Sequence, residues 1–417
     1  MVTAGMPITR ASYRFSTRER SLPSVRLPSF GLPRSIAPVF FAMLCVEGAL
    51  GAYSSVWPLW MERLHADVAV IGILLGAPGF LRMIVVGPSA ALADRLGARR
   101  LMLASRALAS IAYLVAFFAT DWKQLLPVIV LMAAAEVVFP VAQSYVGHHA
   151  PQDERMRSLT LVFNVGPAVA LAFSPLLSGG IVGVFSIRWA FLLASLLSFL
   201  ALISFFRLER DIPHDPERHD RPQSTYREAL SQRPVQVLLA LQGAMIFSLS
   251  LGVSLIPTFL EDVRLLEPST IALLGAFPAV GSIVFGLLAA RTKIIQAHPL
   301  WGVALAVTQT AIGLVIFHQF GSPPVLAAAF FLRGGFFSGW VLFISAIGVV
   351  SNPDHRSRCF AASETIGGVT AALGPIVAGL LYSQRNLLPF EVAIAFALVL
   401  LPVLIASQRN LGKLQHG

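Results

Sequence analysis

Charge is what this sequence has least of. Only 12% of its 417 residues are Asp, Glu, Lys or Arg, where a soluble domain carries about 25%. So few ions cannot cover a surface that faces water, and 56% of the chain is hydrophobic. Cysteine is almost absent. Cys45 and Cys359 lie in or at the edge of apolar runs, without metal-ligand spacing, and read as buried, reduced thiols. The chain has no Gly-rich phosphate loop, no Walker sequence and no His/Cys ligand pattern, so ATP drive, a metal, a cofactor and enzymatic chemistry are not expected. The net charge of +10 raises the question of nucleic acid, but the bases sit in short loops between apolar runs and not on one amphipathic face. No nucleic-acid partner is expected.

What is present is a series of twelve apolar runs, at about 36–61, 69–91, 101–120, 124–147, 158–183, 186–206, 236–260, 269–290, 299–319, 323–350, 359–382 and 387–407. A helix that crosses a bilayer needs roughly 20 such residues. The expected fold is an all-α membrane protein of two six-helix bundles, 36–206 and 236–407. They are joined by a polar central loop, 207–235, and flanked by tails 1–35 and 408–417. The first tail holds Arg10, Arg14, Arg18, Arg20, Arg26 and Arg34 against one acid, Glu19. It reads either as a cytoplasmic tail, with Pro23, Pro28 and Pro33 interrupting any long helix, or as a targeting segment. Lys and Arg number 23 on the side of the tails and central loop and five on the other. That bias predicts that both termini and the central loop face the cytoplasm, in a cytoplasmic (inner) membrane.

The second half repeats the first at a nearly constant offset. Pro58, Glu62 and the LLGA of 74–77 recur 199 residues later as Pro257, Glu261 and 273–276. ALADR (91–95) resembles LLAAR (287–291), SPLLSGG (174–180) resembles GPIVAGL (374–380), and PQDERMRS pairs with NPDHRSRC. Two such halves packed face to face enclose a site at mid-membrane that opens to either side in turn.

The loop ALADRLGARR (91–100) resembles the signature of the major facilitator superfamily, with Asp94, Arg95 and Gly97 in place and Ala90 and Ala98 departing from it. The resemblance covers about 36–407. It implies that Asp94, with Arg95, Gly97, Arg99 and Arg100, forms a gating loop, Asp94 meeting the start of the eleventh helix near Cys359–Ser363. The Pro175–Gly180 stretch is similar to the fifth-helix motif of drug–proton antiporters. Its small residues equally suit close helix packing, and the fourth helix lacks the arginine of those antiporters.

Ionised groups at mid-bilayer cost about 2.5–3.5 kcal/mol even on lenient scales, so each needs a partner or a water-filled cavity. Glu47 falls in the first helix, Arg82 in the second, Glu136 in the fourth and Arg333 in the tenth. The resemblance implies that helices 1, 4, 7 and 10 line the cavity. Glu47, Gly51, Ser54, Ser55 and Pro58 form a polar helical face, and Gln143 lies two turns from Glu136 on the same side. Glu47 and Glu136 are candidate proton carriers. Arg82, Arg333 and Gln143 are candidates to contact the solute or to serve as charge partners. The competing reading makes Glu136 or Glu47 a permanent ion pair with Arg82. Arg106 is expected to join the loop charges near the helix ends.

The expected function is secondary transport by a monomer in the lipid bilayer, with protons as coupling ion. A small organic or amphipathic solute is exported, or in a second reading a small organic anion is taken up. A non-transporting receptor or lipid-handling scaffold is the alternative of another class.

Overall fold

The computed structural model describes residues 32–33, 35–86, 89–208, 228, 230–352 and 355–415. Twelve helices are long and apolar enough to cross a membrane: α1 Ala37–Ser54, α2 Val68–Val85, α3 Ala98–Phe118, α4 Trp122–His149, α5 Arg155–Val184, α6 Arg188–Phe206, α7 Arg233–Asp262, α8 Pro268–Arg291, α9 Pro299–Gln319, α10 Pro323–Val350, α11 Arg358–Tyr382 and α12 Leu388–Arg409. These match the apolar runs to within about three residues, except that α1 and α2 stop seven and six residues short of theirs. The end from which α1 starts, which also holds the loop 86–97, is the basic end; the opposite one is the far end. Most of the first tail and of the central loop lies outside the described residues.

Each half repeats one packing plan. α1 lies against α5 and α6, α2 and α3 against α4, and α3 against α6; α7 lies against α11 and α12, α8 and α9 against α10, and α9 against α12. The halves meet along α2 with α11 and α5 with α8, two contacts that exchange under the repeat. Small residues make this approach possible. A Cβ at Gly72 would stand 2.5 Å from the Pro375 carbonyl oxygen, one at Gly76 2.3 Å from that of Ala372, and one at Gly179 2.6 Å from Leu273 Cγ. The duplicated LLGA thus supplies a close contact from each half, for Gly275 lies against Ser55.

Where a helix must break, a residue explains it. Pro58 and Pro257 sit at the start of short helical pieces, Trp57–Arg63 and Ile256–Asp262, that continue α1 and α7 to the far end. Proline lacks the N–H for a bond four residues back and its ring clashes there, which turns the helix. In α4 the two pieces Leu125–Ala135 and Val138–His149 are separated at Glu136. Pro140 cannot donate to the Glu136 carbonyl, so the Phe139 N–H bonds Glu136 instead, at 3.2 Å. The Ala135 carbonyl, which Phe139 would otherwise serve, is left for another donor. α10 breaks at the corresponding place, Pro323–Arg333 giving way to Gly335–Val350. The reason is different: Gly334 fits against α8, where a Cβ would meet the Pro278 carbonyl oxygen at 2.5 Å.

Candidate functional site

The donor that takes the Ala135 carbonyl is Arg106 of α3, whose Nη2 donates to it at 2.5 Å. Arg106 is 3% exposed. With Glu47 of α1, Glu136 of α4 and the tyrosines Tyr53 and Tyr113 it surrounds a cavity of about 30 Å³, room for a water or two. The sequence reading placed Arg106 among the loop charges; the structure corrects this, because the α4 break draws it inward. Spacing held a partial signal. Arg106 and Tyr113 are seven apart on α3 and so share a face, but no sequence rule turns that face toward Glu136.

The two arginines near Glu136 are held very differently. Arg106 is fixed by a backbone carbonyl at the end of a helical piece, where a cation is favoured. Arg82 reaches Glu136 only at 3.9 Å, between side chains 52% and 37% exposed. A pair of that length and exposure contributes about 0–1 kcal/mol and separates readily. So the expected Arg82–Glu136 ion pair exists, but its geometry is that of an exchangeable partner.

Other expected residues divide. Gln143 is exposed on the second piece of α4 and does not line the cavity. The polar residues of α1 do not all face one way. Glu47 turns to α3 and α4, Gly51 packs on Ser174 and Leu171 of α5, and Ser55 packs on Gly275 of α8. Arg333 makes no hydrogen bond or ion pair with a described residue; its guanidinium carbon stands 5.8 Å from the Phe330 ring centre. On α10, Ala329, Leu332 and Gly335 face α9, while Phe331, Gly334 and Ser338 face α8. Arg333 shares a third face with Phe337 and Trp340. Trp340 lies against Gly367 of α11, within the second half.

In the loop at the basic end, Gly97 has φ +86°, a conformation that favours glycine. Arg99 Nη2 donates to the carbonyl of Phe206 at 2.7 Å, tying the loop to the end of α6, and Arg95 and Arg100 are exposed. The Asp94 side chain, and with it the expected contact near Cys359–Ser363, lies outside the described residues. On α5, Gly179 and Gly183 press on Ser269 and Leu273 of α8, the packing role read for that motif.

The whole bundle has the fold of several solved structures. A mutant of the nucleoside transporter NupG superposes with a TM-score of 0.77 at 12% identity, over 90% of this chain and 100% of that one. A peptide transporter POT mutant in complex with sulfate gives 0.75 at 16%, over 93% and 97%. A bacterial homologue of the human lysosomal transporter Spinster, inward-facing and unoccupied, gives 0.69 at 15%, over 90% and 95%. At such identities the likeness is one of fold. No curated protein sequence matches this chain. The family model described as Major Facilitator Superfamily matches residues 39–338, and with twelve spans in two repeated halves the chain belongs to that superfamily of membrane transporters.

Proposed function

We propose that the chain is a proton-coupled transporter of a small organic solute that carries an anionic group. The observation that carries this reading is the distribution of charge between the halves. In the first half, Glu47, Glu136 and Arg106 border one small cavity, and Arg82 stands 3.9 Å from Glu136. In the second, Arg333 stands at the equivalent helix break, over the Phe330 ring and without an ion pair among the described residues. Two acids against three bases leave one positive charge, and a solute with one negative charge balances it. The anionic solute is therefore favoured over the purely apolar one, whose support is compositional.

Glu136 is the carboxylate that changes partners. With Arg82 drawn to it, its charge is paired; with Arg82 withdrawn as the halves rock, a proton takes that place. Arg106, fixed on Ala135, keeps Glu47 compensated throughout. A proton moving down a difference of one pH unit releases about 1.4 kcal/mol, enough for a tenfold solute gradient; the membrane potential adds to this only if proton and anion move in opposite directions, since together they carry no net charge. With the basic end in the cytoplasm, as the Lys/Arg bias predicts, the far end faces outward.

A thermal-shift screen of carboxylates, followed by uptake into proteoliposomes under an imposed pH gradient, tests the reading. The gradient drives accumulation in the wild type, its sign distinguishing export from uptake. Arg333→Gln lowers affinity for the anion by about 10–100-fold, or roughly 1.4–2.8 kcal/mol, with the fold intact. Binding unchanged in Arg333→Gln would count against the anion site, and a scaffold without transport would show no gradient-driven movement of any carboxylate.

A further inference from the structure

The far end holds a contact that the repeat has written twice. There the piece Trp57–Arg63 meets the piece Ile256–Asp262 across the boundary between the halves. The 199-residue register sets Glu62 on Glu261 and Arg63 on Asp262. Exchanging the halves therefore turns an Arg63–Glu261 contact into an Asp262–Glu62 contact. Both exist. Arg63 Nη2 pairs with Glu261 Oε1, and the Glu62 carboxyl lies within hydrogen-bonding reach of Asp262.

The two copies differ in kind. The first joins opposite charges. The second joins two carboxyls, which attract only while a proton lies between them. Glu62 Oε2 is shielded from solvent and has no hydrogen-bond partner in the structure. The groups that face the pair are Arg63 on the same piece, Glu261 beside Asp262, and Tyr382 of α11, whose hydroxyl donates to Asp262 Oδ2 at 3.0 Å. His65 and Asp67 in the following turn are exposed. Arg264 is turned away, onto the carbonyls of Phe317 and His318. The proton would thus lie at the boundary between the halves, where its loss acts on their separation.

We propose that the far-side clasp is a proton-operated latch, in which one proton shared by Glu62 and Asp262 holds the halves together and its loss releases them. Burial first, then the neighbouring Asp262 and Glu261, push the Glu62 carboxyl up to about 7, with Arg63 opposing. Parting the halves removes both causes and returns Glu62 toward the ordinary value of about 4.3, so clasping takes up a proton. The latch is fully engaged below that ordinary value. It weakens as far-side pH rises and is lost on passing about 7. Within this window the clasped-to-open ratio falls by at most about tenfold per pH unit, because clasping takes up a single proton. None of this requires Glu47 or Glu136 to carry protons, and the test below needs no solute.

Spin labels at Lys123→Cys, exposed in the first turn of α4, and Ser322→Cys, exposed just before α10, both at the far end, report the separation by pulsed electron resonance. The background is Cys45→Ala and Cys359→Ala. The short distance dominates at pH 5, and a longer one grows in by pH 8. Glu62→Gln, whose amide donates to Asp262 as the shared proton would, stays clasped at both. Asp262→Arg, which makes the second copy an ion pair like the first, also stays clasped and decides the matter if the Gln variant does not fold. A wild-type distance that ignores pH, or a pH response that survives in either variant, overturns the latch.

Discussion

Arg106 has two partners that sequence alone keeps apart: a backbone carbonyl released by Pro140, and the carboxylates that share its cavity. Removing the guanidinium strands all of them at once. Leaving a buried acceptor without its charged donor costs about 1–3 kcal/mol, so Arg106→Met is expected to unfold at clearly lower temperature in a thermal melt. Adding Glu136→Gln recovers part of the loss, because one uncompensated acid is gone. If Arg106→Met melts like the wild type, the cluster holds no buried charge worth compensating. Residue types were legible in the sequence here, and positions were not. Glu47, Glu136, Arg82 and Arg333 stood out because ions in apolar runs are costly. Arg106 was misplaced because its direction depends on a break in another helix, and Gln143 because the same break intervenes between it and Glu136.

At the scale of the helix, the repeat conserves fit while exchanging the residues that make it. On α1 Gly51 faces Ser174 of α5, where an added Cβ would stand 2.1 Å from its Oγ. At the equivalent place, Ser250 of α7 faces Gly374 of α11, where an added Cβ would stand 2.0 Å from Ser250 Oγ and 2.8 Å from the Leu251 nitrogen. One member of each pair is small, but on opposite helices. Gly374→Ala is expected to destabilise by about 1–3 kcal/mol through overpacking, and Ser250→Gly in the same chain relieves most of it. Equal melting temperatures for Gly374→Ala and the wild type would contradict this account. Between the halves, Gly72 approaches Gly379 so closely that a Cβ would meet its Cα at 2.9 Å. Gly72→Val is expected to open the far end, lengthening the spin-label distance at pH 5; an unchanged distance would show that this contact does not set the separation. The offset and the spans were readable from the sequence because hydropathy and identity both repeat. The Gly/Ser exchange was not, since an exchanged pair leaves no identity to match.

For the whole molecule, the two halves are alike in packing and unlike in their intramembrane charges. The first contributes acids with their arginines at and beside a small cavity, and the second a lone arginine at the matching break. Rocking one half on the other along α2–α11 and α5–α8 alters what Arg82 and Arg333 face, while Arg106 stays with Ala135. On the proposed reading, this couples a proton on one side of the boundary to an anion on the other. The most direct test is carboxylate movement in proteoliposomes containing wild-type protein or Glu136→Gln. The account predicts gradient-driven accumulation in the wild type only, with solute exchange at equal pH retained by the variant. Accumulation by Glu136→Gln that still follows the pH gradient would contradict it.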